Sequence, residues 1–132
     1  IYSLSKNTVW HELSHAIDRR LAWDATYRDE ALFTEEGWSA LNPDGFTYTG
    51  EYGSLGTNIQ PEWYSYFIDD YSMINAAEDR ARIFEYAVEN SGTLFRDAPG
   101  LIAKLQYYSD CIRDCFDTAL WPEITAWEAP LH

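Results

Sequence analysis

Positive charge is scarce in this chain. Nine lysines and arginines face 22 aspartates and glutamates, which gives a formal net charge of −13 at pH 7. Binding to nucleic acid or to an anionic membrane needs a basic surface that can neutralise phosphate groups. Because the sequence also has no basic run, both of these functions are disfavoured.

Long apolar stretches are missing as well. A helix that spans a bilayer needs roughly 20 consecutive apolar residues, and no stretch approaches that length, so membrane insertion is not predicted. Apolar residues nevertheless fill 46% of the 132 positions, which is enough for the core of one domain. With no internal repeat and no linker, residues 1–132 are predicted to form a single domain.

Cysteine is limited to Cys111 and Cys115. A spacing of four on a continuous helix brings the two Cα atoms near the distance limit for a disulfide and gives poor side-chain geometry. A metal site built on this pair would need two more ligands, and the neighbouring sequence supplies none. We therefore predict two free thiols.

Only three histidines are present, and two of them fall in the stretch His11-Glu12-Leu13-Ser14-His15. Residues four apart lie on the same face of a helix, so the two imidazoles can bind one metal ion, predicted to be zinc. Glu12 lies on a neighbouring face, where its carboxylate can reach a water that the metal activates. That is the position of a general base.

The apolar residues around this motif recur at intervals of three and four, which predicts a helix over about residues 5 to 22. Asp18 follows one turn after His15 and could accept a hydrogen bond from an imidazole. An exposed helix carboxylate with no such role is the alternative.

The rest of the chain is predicted to be mainly helical with a small β element. Thr34 can cap a short helix, and Asn42-Pro43-Asp44-Gly45 predicts a turn. Aromatic and polar residues alternate from Phe46 to Tyr52, which is typical of a strand. Gly53 to Pro61 is predicted to be a mobile loop over a site. The aromatic residues from Trp63 to Phe67 favour core or interface packing over substrate binding.

Two further helices are predicted downstream. The first begins after Asn75 and ends near Gly92, and the second begins at Ala98-Pro99-Gly100 and extends to Trp121-Pro122. The remaining tail is expected to pack on the surface.

The third zinc ligand has to come from elsewhere in the chain. Metzincins need glycine and histidine three and six residues after the second histidine, where this sequence has Asp18 and Leu21. Completion by a glutamate on a later helix remains, and Glu78 is the best-placed acid. Asn75 and Glu78 also fit a capping box, so Glu78 could instead only close the start of its helix.

The sequence resembles the glutamate-completed zincins of the anthrax lethal factor and Pro-Pro endopeptidase type, and more closely zinc metallopeptidases of gut Firmicutes. The resemblance covers about His11 to Phe116. The matching segments are His11 to Asp18, Trp38 to Tyr48, Tyr71 with Glu78 seven residues on, and the helix from Asp79 to Val88 that begins Glu78-Asp79-Arg80-Ala81-Arg82.

This resemblance implies roles for individual residues. His11, His15 and Glu78 would bind zinc, Glu12 would be the base, and Tyr71 would donate its hydroxyl to the oxyanion of the tetrahedral intermediate. A tyrosine that only packs in an aromatic core is the alternative for Tyr71.

Two departures from the family pattern bear on these roles. Four residues after the ligand the lethal-factor type has a second glutamate, whereas this chain has Arg82, which could pair with Glu78 and compete for its carboxylate. Zincins also place a substrate-holding sheet before the motif helix, and only ten residues precede His11. The sheet is therefore expected to lie upstream of Ile1 or to be reduced.

The predicted function is a zinc-dependent metallopeptidase that acts on a peptide or protein substrate. The alternatives are a catalytically inactive binding or structural module derived from a zincin, and a zinc hydrolase that acts on other bonds. The chain begins at Ile1 rather than methionine, which favours a processed or trimmed protein. A signal peptide upstream would predict a secreted or cell-surface bacterial protein, and its absence a cytoplasmic one.

Overall fold

The computed structural model describes residues 6–50, 60–89 and 92–132, and within these ranges the chain is mainly helical. The α-helices are α1 Lys6–Tyr27, α2 Glu35–Ser39, α3 Ala76–Val88, α4 Gly92–Arg96 and α5 Pro99–Cys115. Three 3-10 helices cover Pro61–Tyr66, Asp70–Met73 and Ala126–Leu131. None of the described helices is long and apolar enough to cross a membrane.

The core lies between the three long helices α1, α3 and α5. Each helix contributes an apolar face, and the fully buried side chains include Leu21, Ile83, Leu105 and Ile112. Burying a side chain of this size stabilises the fold by about 1.5–3 kcal/mol. Helix α1 packs most extensively against α3, so residues on the facing turns of these two helices come together.

Three helix starts follow the predicted local signals. The Thr34 hydroxyl accepts a hydrogen bond from the Gly37 backbone N–H and caps α2. The Asn75 side chain accepts one from the Glu78 backbone N–H at 2.8 Å and caps α3. Pro99 opens α5, where its missing N–H costs nothing.

Helix α1 ends at Tyr27, beyond the motif helix predicted over about residues 5 to 22 and in line with Trp23 and Tyr27, which favour continued helix after it. The last turn is stabilised by Arg28, whose guanidinium contacts the Asp24 carboxylate at 2.7 Å across four residues. The Trp23 and Tyr27 rings also meet on this turn, with centroids 4.9 Å apart. These contacts extend the helix to Tyr27.

The predicted strand from Phe46 to Tyr52 is wrong over its described part, residues 46–50. No partner strand lies beside it within the described chain; instead the Thr49 and Gly50 N–H groups donate to the carbonyls of Met73 and Ile74. The alternation reflects aromatic packing on one side, since the Phe46 ring lies 4.5 Å from the Phe67 ring. Residues 51–59, which hold the rest of the strand and most of the predicted mobile loop, lie outside the described residues.

The end of α5 also differs from the prediction, because the helix stops at Cys115 rather than near Trp121. The following chain is held by the Arg113 guanidinium, which donates to the carbonyl of Glu123 and to the buried carboxylate of Glu128. The tail therefore packs against α5 through a partly buried ion pair. The two cysteines are free thiols, as predicted, and burial raises the pKa of Cys111 to about 12.

Candidate metal centre

Two helices bring His11, His15 and Glu78 together. The histidines lie one turn apart on the face of α1 that packs on α3, with ring centroids 4.9 Å apart. Glu78 projects from the first turn of α3. One carboxylate oxygen lies 2.9 Å from His11 Nε2 and the other 3.1 Å from His15 Nε2. The three ligand atoms all lie within 4.8 Å of one another.

The cluster would bind a zinc ion after small side-chain adjustments, because its ligand atoms are separated by as little as 2.9 Å and all lie within 4.8 Å of one another. Nitrogen and oxygen ligands lie about 2.0–2.2 Å from zinc, so the corners of a tetrahedral site are about 3.4 Å apart. The two contacts of Glu78 would have to widen by a fraction of an ångström. The side chains are 13%, 21% and 16% exposed for His11, His15 and Glu78, so solvent reaches the cluster while most of each ligand is buried.

The contacts of His11 also fit a cation. Its Nδ1 lies 2.9 Å from Glu85 Oε1 and its Nε2 lies 2.9 Å from Glu78 Oε2. An ionised carboxylate only accepts hydrogen bonds, and a neutral imidazole has a single N–H. Two arrangements satisfy these contacts: an imidazolium that donates from both nitrogens, or a neutral ring that donates from Nδ1 to Glu85 while a cation bridges Nε2 and the Glu78 carboxylate.

Glu85 is the residue of this site that the sequence analysis missed. It lies on α3 two turns after Glu78, is only 2% exposed, and holds the ring orientation of His11. A hydrogen-bonded carboxylate on the outer nitrogen of a ligating histidine is a common feature of metal sites. The sequence does contain one indication of this role: Glu85 is seven residues, or about two helical turns, after Glu78 and so lies on the same face of the helix.

Arg82 does not compete for Glu78, so that expectation was wrong. Its Nη1 donates to Glu85 Oε1 at 2.8 Å, and its Nε lies 3.3 Å from Asp69 Oδ2. Both oxygens of Glu78 face imidazoles instead. Arg82 therefore stabilises the Glu85 carboxylate, which contacts His11, while the Glu78 carboxylate contacts only the two histidines among the ion pairs of the described residues.

Asp18 does not contact either imidazole in the way we expected. One of its oxygens accepts from Arg80 Nε at 2.9 Å, and the other accepts from the Tyr108 hydroxyl at 3.1 Å. The alternative of an exposed carboxylate is also wrong, because the Asp18 side chain is only 11% exposed. Burial raises the pKa of Asp18 although Arg80 opposes this effect. Asp18 joins α1 to α3 and α5 below the site.

Of the two residues predicted to be catalytic, Tyr71 lies beside the cluster, and Glu12 is the neighbour of His11 in the chain. Tyr71, on the 3-10 helix Asp70–Met73, has its ring centroid 6.1 Å from that of His11. Glu12 follows His11 on α1 and is exposed to solvent. The Asn75 side chain accepts a hydrogen bond from the Glu78 backbone N–H and so fixes the first turn of α3, from which Glu78 projects.

A second feature missed in the sequence lies directly behind Glu78. The next residue, Asp79, accepts hydrogen bonds from Lys104 Nζ and the Tyr48 hydroxyl, each at 2.8 Å. Both Asp79 and Lys104 are fully buried. Burial raises the pKa of Asp79 to about 6 against the opposing charge of Lys104, and burial lowers the pKa of Lys104. This pair fixes the start of α3 against α5.

Comparison of the chain with profiles of known protein families, with curated proteins and with solved structures found no match.

Proposed function

We propose that this protein is a zinc-dependent metallopeptidase with His11, His15 and Glu78 as the metal ligands. The observation that carries the proposal is the convergence of both Nε2 atoms on the Glu78 carboxylate, at 2.9 and 3.1 Å. Two histidines and one glutamate form a ligand set used by hydrolytic zinc sites, which keep a further position for water or substrate. The resemblance to glutamate-completed zincins supports peptides as the substrate class.

Bound zinc would lower the pKa of a water molecule toward about 7 and polarise the carbonyl of the substrate. Glu12, exposed beside His11, would take a proton from this water as it attacks the peptide carbonyl. Tyr71 would donate a hydrogen bond from its hydroxyl to the oxyanion that forms. Glu12 would then give its proton to the amine that leaves.

The remaining contacts of the site would serve orientation. Glu85 fixes the ring of His11 so that Nε2 faces Glu78. Asn75 and the Asp79–Lys104 pair fix the backbone at the start of α3. A preorganised ligand set loses less conformational freedom when it binds its metal, and this raises affinity.

The variant Glu12→Gln tests the proposal because it removes the base and leaves the metal ligands intact. We expect it to retain one zinc per chain and to lose about 100-fold or more of the hydrolysis rate on a fluorogenic peptide library, as removal of a general base does. Glu36→Gln is the matched control, since Glu36 is an exposed helical glutamate on α2.

Two results would contradict the proposal. Equal hydrolysis by wild type and Glu12→Gln would remove Glu12 from the mechanism. A zinc-loaded wild type that cleaves no member of the library would favour the alternative of a metal-stabilised module without peptidase activity.

A further inference from the structure

Arg82 lies where two groups of residues meet. On one side its Nη1 donates to Glu85 Oε1 at 2.8 Å. On the other its guanidinium carbon lies 4.4 Å from the centre of the Tyr71 ring, and its Nε lies 3.3 Å from Asp69 Oδ2. The Asp69 contact is an ion pair without hydrogen-bond geometry. Arg82 thus contacts both Glu85, which orients the candidate ligand His11, and the segment that carries Tyr71.

The first side leads to the candidate metal ligands. The oxygen of Glu85 that accepts from Arg82 also accepts from His11 Nδ1. Glu85 is 2% exposed, and an ionised carboxylate at such a position needs a charged partner. Arg82 supplies this partner and thereby keeps Glu85 available to orient His11.

The second side leads to the proposed oxyanion donor. Asp69 caps the 3-10 helix Asp70–Met73, because its Oδ1 accepts from the Ser72 N–H at 3.1 Å and from the Ser72 hydroxyl at 3.2 Å. Its other oxygen faces Arg82. The guanidinium therefore holds the cap of this helix and one face of the Tyr71 ring at the same time.

We propose that Arg82 is a positioning residue that links the metal ligands to Tyr71. Its planar guanidinium can pair with carboxylates along its edges while its flat face stacks on an aromatic ring. The chemical purpose of this link rests on the proposed function, since it would hold the oxyanion donor at a fixed place relative to the zinc. The link itself is a property of the metal-free chain and is tested there first.

The test in the metal-free protein uses fluorine NMR of chains labelled with 3-fluorotyrosine. The Tyr71 resonance is assigned as the one that disappears in Tyr71→Phe. We expect Arg82→Met to shift this resonance, because the cation over the ring is lost. Arg113→Met is the matched control: Arg113 is 30% exposed and pairs with the buried Glu128, as Arg82 is 26% exposed and pairs with Glu85. It should leave the Tyr71 resonance in place.

The second test measures zinc affinity by competition with a chromophoric chelator. We expect Arg82→Met to bind zinc about 10-fold or more weakly, as loss of outer hydrogen-bonding partners does in other metal sites. Zinc should also shift the Tyr71 resonance of the wild type, and by less in Arg82→Met. Arg113→Met should match the wild type in both measurements. If Arg82→Met does not fold, Asp69→Asn replaces it in the NMR test, because asparagine keeps the cap and removes the charge.

The outcomes separate this inference from the proposed function. If the wild type binds zinc, and Arg82→Met keeps both its zinc affinity within twofold and its Tyr71 resonance, the link is refuted and the metal site stands. If the wild type binds no zinc but the Tyr71 resonance moves in Arg82→Met and not in Arg113→Met, the link is supported and the proposed function fails.

Discussion

Replacing Lys104 by methionine should destabilise the protein strongly. Lys104 is fully buried, and its ammonium contacts the Asp79 carboxylate at 2.8 Å, the Tyr66 carbonyl at 2.9 Å and the Phe67 ring at 3.8 Å. Methionine fills much of the same space. It leaves Asp79 with only the Tyr48 hydroxyl on one oxygen, while Oδ1 has no hydrogen-bond partner among the described residues. Removing one member of a buried ion pair costs about 3–5 kcal/mol.

This cost converts into a large change in melting temperature. A chain of 132 residues has an unfolding entropy of about 0.28 kcal/mol/K, at about 2.1 cal/mol/K per residue. A loss of 3–5 kcal/mol then lowers Tm by about 10–20 °C. Thermal and urea unfolding followed by far-UV circular dichroism measure both quantities.

The double variant Asp79→Asn with Lys104→Met is the informative control. It removes both charges, so no uncompensated carboxylate remains in the core, and we expect it to be more stable than Lys104→Met alone. The reasoning is refuted if Lys104→Met melts within about 3 °C of the wild type, well short of the shift calculated above. It is also refuted if the double variant is no more stable than the single one.

Two further predictions concern carboxylates. Glu85→Gln keeps the shape of the side chain but removes its charge from His11, so zinc affinity measured by chelator competition should fall about 10–100-fold; an unchanged affinity would show that Glu85 does not support the metal site. Although burial opposes the ionisation of Glu128, hydrogen bonds from Arg113 and other neighbours hold its pKa well below the usual range. Because its folded pKa lies below the unfolded value of about 4.3, its stabilisation is complete above that pH and is lost as the pH falls further. Urea unfolding from about pH 5 to pH 3 should therefore show a steeper loss of stability for the wild type than for Glu128→Gln, and equal slopes would contradict the assignment.

The features that could be predicted from the sequence are those with local causes. The His11 and His15 spacing fixes a shared helix face, and the caps at Thr34 and Asn75 act within three residues. The position of Glu78 at the start of a helix predicts it as the third ligand, and the structure brings it to both histidines.

The features that could not be predicted depend on how the helices pack against one another, which decides which side chains of different helices meet. Asp18 lies one turn after His15, a spacing compatible both with a contact to an imidazole and with an exposed carboxylate, but in the fold it accepts hydrogen bonds from Arg80 and Tyr108. The burial of Glu85 beside His11 depends on the packing of α3 against α1. Composition alone would place such a carboxylate at the surface.

The predicted strand failed for a related reason. Alternating aromatic residues indicate that one side of a segment is buried, and they do not show what buries it. Around Phe46 and Tyr48 the partner is a set of aromatic rings, including Phe67, and not a second strand. The alternation of aromatic and polar residues therefore indicated correctly which side of the segment packs inward, but it did not indicate the hydrogen bonds of a strand.

Equilibrium zinc binding to the wild type and to Glu78→Gln tests the central claim most directly. The account predicts one zinc per chain in the wild type, measured by elemental analysis after dialysis, and an affinity in Glu78→Gln that is weaker by more than about 100-fold, beyond the effect of losing an outer partner. A wild type that holds no zinc, or a Glu78→Gln variant that binds it as tightly, would contradict the assignment of His11, His15 and Glu78 as a metal site.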